Sequence, residues 1–126
     1  MKLEKSYLLA VVWALIILVL SILPSSSLPS LSWSDFLGAD KLAHLGVYMI
    51  LCFLVVWAFT NSKYPAKYKN GIILSSTYGV LMEVLQFLIY TGRNFEVLDI
   101  IANIIGSILG AVFFKFFFKY FNTWKD

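Results

Sequence analysis

Residues 83–103 read Glu-Val-Leu-Gln-Phe-Leu-Ile-Tyr-Thr-Gly-Arg-Asn-Phe-Glu-Val-Leu-Asp-Ile-Ile-Ala-Asn. Glu83 and Gln86 lie inside one apolar run, and Asp99 and Asn103 open the next. Thr91-Gly92-Arg93-Asn94 between them has the composition of a tight turn. Ionisable groups inside a hydrophobic span are costly, so they are rare and mark function. A second polar set, Asp40, Lys41 and His44, opens an earlier apolar run. Two sets at facing helix ends predict one site at one end of a small helical bundle.

The composition says which medium that bundle occupies. Of the 126 residues, 60% are hydrophobic and only 13% charged. A soluble domain this short has too much surface for its volume to hide so much apolar area. The bilayer takes the place of a core, so a soluble domain is a poor reading and one compact membrane domain a good one, and no nucleic-acid partner is expected. The single cysteine, Cys52, sits in an apolar run and rules out an intrachain disulfide. It reads as a small buried hydrophobe.

Four spans are predicted, over about 7–23, 40–59, 71–90 and 97–118, within one domain covering 1–126. The first, about 17 apolar residues, is near the lower limit for crossing the hydrocarbon. Its rival reading is a secretory signal peptide, but the apolar region is long for one and no Ala-x-Ala site follows, so a retained helix is favoured. Pro24 and Pro29 end it. Residues 24–39 are expected as a surface loop or short amphipathic turn, with Ser34 or Asp35 as a cap and Trp33 as an interfacial anchor. Residues 60–70, with Pro65, form a polar turn, and the tail carries Trp124 as a second anchor. No internal repeat, P-loop, GxGxxG or HExxH pattern is present.

Basic residues near span ends prefer the cytoplasm. Lys2, Lys5, Lys63, Lys67, Lys69, Lys115, Lys119 and Lys125 fall in three regions that four spans place on one side. Both termini are therefore expected in the cytoplasm. The opposite side holds Lys41 and Arg93 with Asp35, Asp40, Glu83, Glu96 and Asp99. At 1.5 Å of rise per residue, His44 lies about 6 Å below Asp40, Asn103 about 6 Å below Asp99, and Glu83 about 10 Å below Tyr90. Three helices thus put polar groups at similar depth.

Spacing also assigns faces. Lys41, His44 and Tyr48 share one, as do Glu83 and Gln86, and Asp99 and Asn103. Ala102, Gly106 and Gly110 continue the last as a small-residue stripe that lets two helices approach closely. His44, Glu83 and Asp99 are the candidate catalytic groups, with His44 a general base oriented by Asp40 or Asp99. Asp40, Lys41, Tyr48, Gln86, Arg93 and Asn103 are the candidate ligand-binding groups, with Lys41 and Arg93 clamping a phosphate or carboxylate. The bland readings are a buried structural Glu83, snorkelling Lys41 and Arg93, and a helix-dipole role for Asp99. One histidine weakens a zinc site, although His, Glu and Asp together could still bind a divalent ion; neither metal nor cofactor is expected. No activated serine stands out, since Ser75, Ser76 and Thr77 lie away from the cluster. The Phe113–Phe118 run reads as lipid-facing bulk.

In these residues the chain resembles the VanZ-like family of small bacterial membrane proteins. The family pattern is Asp-Lys-x-x-His, then Glu-x-x-Gln, an Arg in the next loop, and Asp-x-x-x-Asn followed by glycines. Here it is met by Asp40, Lys41 and His44; Glu83 and Gln86; Arg93; and Asp99, Asn103, Gly106 and Gly110. The resemblance covers about residues 7–118. One departure is Asn94-Phe95-Glu96, where family members often carry an acidic residue directly after the Arg. The resemblance implies an all-α bundle of four transmembrane helices in the bacterial cytoplasmic membrane. It also implies an association with tolerance of glycopeptides of the teicoplanin type.

Three functions are consistent with this reading. An outward-facing site binds an amphiphilic or lipid-linked anionic ligand, with membrane lipids, a lipid-linked cell-wall precursor or a glycopeptide as candidate partners. Alternatively, the site is a hydrolase or transferase acting on a lipid-linked envelope molecule. In the third, the polar set is packing glue in a structural or assembly protein. A bundle this small is also a candidate homodimer, which no residue decides.

Overall fold

A computed structural model describes residues 2–24, 33–89 and 94–123. They form four helices: α1 (Lys2–Ile22), α2 (Trp33–Asn61), α3 (Lys67–Leu88) and α4 (Val97–Thr123). Each contains a stretch long and apolar enough to cross a membrane, namely Lys5–Ile22, Asp40–Asn61, Lys67–Leu88 and Val97–Asn122. No strand is present among the described residues. The chain is a multi-pass, all-helical membrane protein.

Four helix boundaries differ from the sequence reading: α1 begins at Lys2 and α3 at Lys67, inside the expected polar turn, and the start of α2 and the end of α4 also move outward. The expected loop over 24–39 is shorter, because α2 already begins at Trp33. No proline separates Trp33 from Asp40, so nothing stops the helix extending back through Ser34 and Asp35, which join its first turn. The side chains of Trp33, Ser34 and Asp35 lie outside the described residues, as do Tyr90, Thr91, Gly92, Arg93 and Trp124. At the other end, α4 continues to Thr123, since the Phe-rich run after Gly110 contains no breaker.

The bundle buries polar residues beside its apolar core and exposes many large apolar ones. Glu83, Gln86, Asp99, Asn103, Ser75 and Ser107 are buried, whereas Leu8, Leu15, Leu81, Phe87, Ile101 and Phe116 are exposed. The buried face of α3 is Gly71, Ser75, Gly79, Glu83 and Gln86, a stripe of small and polar residues at helical spacing. In lipid the tails solvate Leu and Phe as well as a protein core does. Helices therefore associate through close packing and polar contacts instead.

α2 packs against all three other helices, and α4 lies against α2 and α3. Gly106 and Gly110 make the α2–α4 crossing close. A Cβ at Gly106 would run into the backbone carbonyl of Leu45, and one at Gly110 into that of Met49. On α3, Gly79 faces Asn103 and Tyr48, and a Cβ there would stand 2.9 Å from Asn103 Nδ2. Away from the polar cluster, Phe114 is buried and meets Phe53 edge-on at 5.2 Å. This one member of the Phe run is core, while Phe113, Phe116, Phe117 and Phe118 are exposed. Cys52 is fully buried between the same helices, a packed hydrophobe as expected.

α1 is fastened by side chains. The Trp13 indole donates to the Val47 carbonyl at 2.9 Å, Tyr78 donates to the Ala14 carbonyl, and Asn61 donates to Ser6 Oγ at 3.0 Å. The α2–α3 turn is a Schellman closure. Tyr64 N–H donates to the Phe59 carbonyl at 2.9 Å and Lys63 N–H to the Thr60 carbonyl at 3.2 Å. Lys63 takes the left-handed conformation at φ 55°, and the Phe59 and Tyr64 rings stack at 4.7 Å.

Candidate functional site

The N-termini of α2 and α4 meet the C-terminus of α3 at one end of the bundle. The turn over 91–93 lies outside the described residues, and so does the candidate clamp Arg93. All the other sequence-predicted site residues fall at this end. Asp40, Lys41, His44 and Tyr48 come from α2, Glu83 and Gln86 from α3, and Asp99 and Asn103 from α4.

Lys41 is the hub of the charged groups. Its ammonium donates to Asp40 Oδ2 at 3.2 Å and also to Glu96 Oε2 and Asp99 Oδ1. Lys41 is neither a snorkelling cation nor a free one, since three carboxylates share it. Formally this leaves two negative charges in excess among the four groups. Asp99 stands in the first turn of α4, where the helix dipole favours an acid. Its N–H donates to the Glu96 carbonyl at 3.2 Å, which places Glu96 at the cap.

Glu96 is the residue whose role the sequence reading left open. Besides holding Lys41, its backbone N–H donates to Glu83 Oε1 at 3.0 Å. Glu83 is only 2% exposed, so its carboxylate fastens the end of α3 to the start of α4. The available signal was the spacing of Glu96 and Asp99, three residues apart at a helix start. Read alone, it is an ordinary pair of first-turn acids.

His44 is held differently from the sequence expectation. Its Nδ1 lies 3.0 Å from Asn103 Oδ1. Nε2 faces Asp40 Oδ1 at 3.7 Å and Asp99 Oδ2 at 3.6 Å, beyond hydrogen-bond length. Asn103, not a carboxylate, orients the ring. A carboxylate could not reach Nδ1, because Asp40 and Asp99 are drawn toward Lys41.

Beside this cluster lies a cavity of about 190 Å³. One wall is polar: Asp40, His44, Glu83, Gln86 and Asn103. The other is apolar, with Ile17 and Leu20 of α1, Val47 and Met82. Tyr48 and Gly79 also line it, so the absence of a side chain at Gly79 leaves room for both Tyr48 and Asn103. The arrangement can take a group with a polar head and an apolar neighbour, and it presents one imidazole and several carboxylates to that head.

No curated protein and no solved structure matches the chain. A family model does: the one described as VanZ/LLP1 matches residues 6–118, a stretch that reaches into all four helices and includes every polar residue of this cluster. The chain belongs to the VanZ/LLP1 family of membrane proteins.

Proposed function

We propose that this protein binds the polar, anionic head of an amphiphilic or lipid-linked envelope molecule in the cavity beside His44. The observation that carries the reading is the mixed wall, with His44, Glu83, Gln86 and Asn103 beside Ile17, Leu20, Val47 and Met82. Such a wall matches an amphiphile better than a free sugar or a simple ion. In the proposed topology the basic regions lie in the cytoplasm and the cavity belongs to the outer half of a bacterial cytoplasmic membrane. Lipid-linked cell-wall precursors and glycopeptides are then the ligand classes within reach, and tolerance of teicoplanin-type compounds is the physiological outcome to assay. Lys41 is already shared among three carboxylates, and Arg93 is the other cation that the sequence reading assigns to the anion.

The test is a thermal-shift titration of the purified protein in detergent with phosphatidylglycerol, a lipid-linked wall precursor and a glycopeptide. A ligand at a hundred times its Kd stabilises the fold by about 2.7 kcal/mol. Ala43 lines the cavity, so Ala43→Trp fills it while every polar side chain of the site is kept. The stabilisation should vanish in Ala43→Trp and in Arg93→Ala. An unchanged shift in both variants sinks the proposal.

One observation favours a second reading, a hydrolase or transferase acting on the same head. His44 is orientated by Asn103 at the wall of the cavity, as a general base would need to be. This reading expects turnover of a lipid-linked substrate that is lost in His44→Ala and in Glu83→Gln. Full turnover in both variants would remove it.

A further inference from the structure

We propose that Asp40, His44 and Asp99 bind one divalent cation of the Zn²⁺ or Mn²⁺ class, with Lys41 and Asn103 holding the ligands in place. Each aspartate divides its two oxygens. Asp40 Oδ2 and Asp99 Oδ1 accept from Lys41. Asp40 Oδ1 and Asp99 Oδ2 face His44 Nε2 at 3.7 and 3.6 Å. The three donor atoms lie within 4.8 Å of one another. That is too long for hydrogen bonds and suits ligands of one ion with bonds of about 2.0–2.2 Å.

The ring orientation points the same way. Asn103 Oδ1 only accepts, so the proton of a neutral imidazole sits on Nδ1 and the lone pair on Nε2. In that tautomer the Nε2 lone pair and the two carboxylate oxygens converge, and a cation between the three would take all of them as ligands. A histidine whose second nitrogen donates to a fixed acceptor is the usual outer-sphere support of a metal ligand. Charge agrees: Asp40, Glu96 and Asp99 outnumber Lys41 by two, a deficit that a divalent ion fills.

The third observation is the cavity that borders the cluster. Asp40 and His44 also line the cavity, and so does Glu83. Glu83 is 2% exposed, and the one hydrogen bond described for its carboxylate uses Oε1. A buried carboxylate at the wall is placed to accept from water bound to the ion. Three protein ligands with an open side is the form in which a metal takes a further ligand. The sequence expectation of no metal rested on the lone histidine, and the two carboxylates brought to the same ring nitrogen supply the missing ligands. If the cavity takes an anionic head, as proposed above, the ion supplies the positive charge that Lys41 has already given to its neighbours. That extension rests on the proposed function, whereas the ion site itself does not.

The experiment uses the full chain in detergent, treated with EDTA and titrated with MnCl₂ alone, followed by electron paramagnetic resonance. Expected are one bound Mn²⁺ per chain, competed by Zn²⁺, and a nitrogen coupling in the pulsed spectrum. The coupling disappears in His44→Ala, and affinity falls at least about tenfold in Asp99→Asn and Asp40→Asn. Asp40 lies outside the buried core, so Asp40→Asn reports on binding even where Asp99→Asn fails to fold. No Mn²⁺ bound by the wild type, or binding without nitrogen coupling, or equal binding in Asp40→Asn, overturns the site. A headgroup-induced thermal shift that persists in EDTA leaves the proposed function standing and denies the ion a part in it. Metal binding with no headgroup shift does the reverse.

Discussion

At the scale of single residues, the cluster is organised by oxygen atoms that are already taken. Glu83 Oε1 receives the Glu96 N–H inside the protein. Glu83→Ala leaves that donor buried without a partner, which costs about 1–3 kcal/mol. Glu83→Gln keeps a carbonyl oxygen for it and should retain most of the stability. Unfolding of both variants in detergent checks the difference, and equal losses would remove the structural role given to Oε1. Lys41 makes the converse case. Removing one partner of a buried ion pair costs about 3–5 kcal/mol, and somewhat less here because Lys41 remains about a fifth exposed. Lys41→Met should therefore destabilise the fold by about 2–3 kcal/mol, with Asp99, the most buried of its partners, left unpaired. A variant as stable as wild type would mean that the three ion pairs contribute nothing.

At the scale of helices, glycine positions separate close approach from empty space. Gly106 stands against the Leu45 carbonyl, a backbone group that cannot rotate aside. Gly106→Ala should push α2 and α4 apart and cost about 1–3 kcal/mol through overpacking. Gly38 lies in the first turns of α2 with nothing within 4 Å of a built Cβ. Gly38→Ala should stabilise by about 0.5–1 kcal/mol. Opposite signs in one helix pair, read from thermal unfolding, would establish that the α2–α4 distance is set at Gly106. The turn after α2 offers a related test. Lys63 holds a left-handed conformation in the Schellman closure, so Lys63→Gly should stabilise by about 1 kcal/mol. No gain there would mean that the turn relaxes away from this geometry.

At the scale of the whole molecule, polar groups are gathered at one end and basic groups at the other. Cys52 is buried, so a single introduced cysteine can report topology without removing it. In the proposed orientation, Asn94→Cys reacts with a membrane-impermeant maleimide in intact cells, and Lys63→Cys reacts only after permeabilisation. The reverse pattern would invert the bundle. The four helices were legible in the chain itself, and so was the placing of Asp40, Lys41, His44, Glu83, Gln86, Asp99 and Asn103 at one end, because apolar run length and residue spacing are properties of a single helix; the part played by Glu96 was not, and Arg93 lies outside the described residues. The start of α2 and the end of α4 were less legible, since a helix runs on until something stops it and neither Trp33–Asp40 nor Lys119–Thr123 holds a proline. What the sequence by itself determined is therefore a four-helix membrane protein with its polar side chains at matching levels. The partners of those side chains were decided only by the tertiary structure: Lys41 among three carboxylates, His44 on Asn103, Glu83 under the Glu96 amide. Pairing across helices depends on how each is rotated and how closely the helices cross. In this bundle the missing side chains at Gly79, Gly106 and Gly110 set that distance, a contact between residues far apart in the chain that no local spacing encodes.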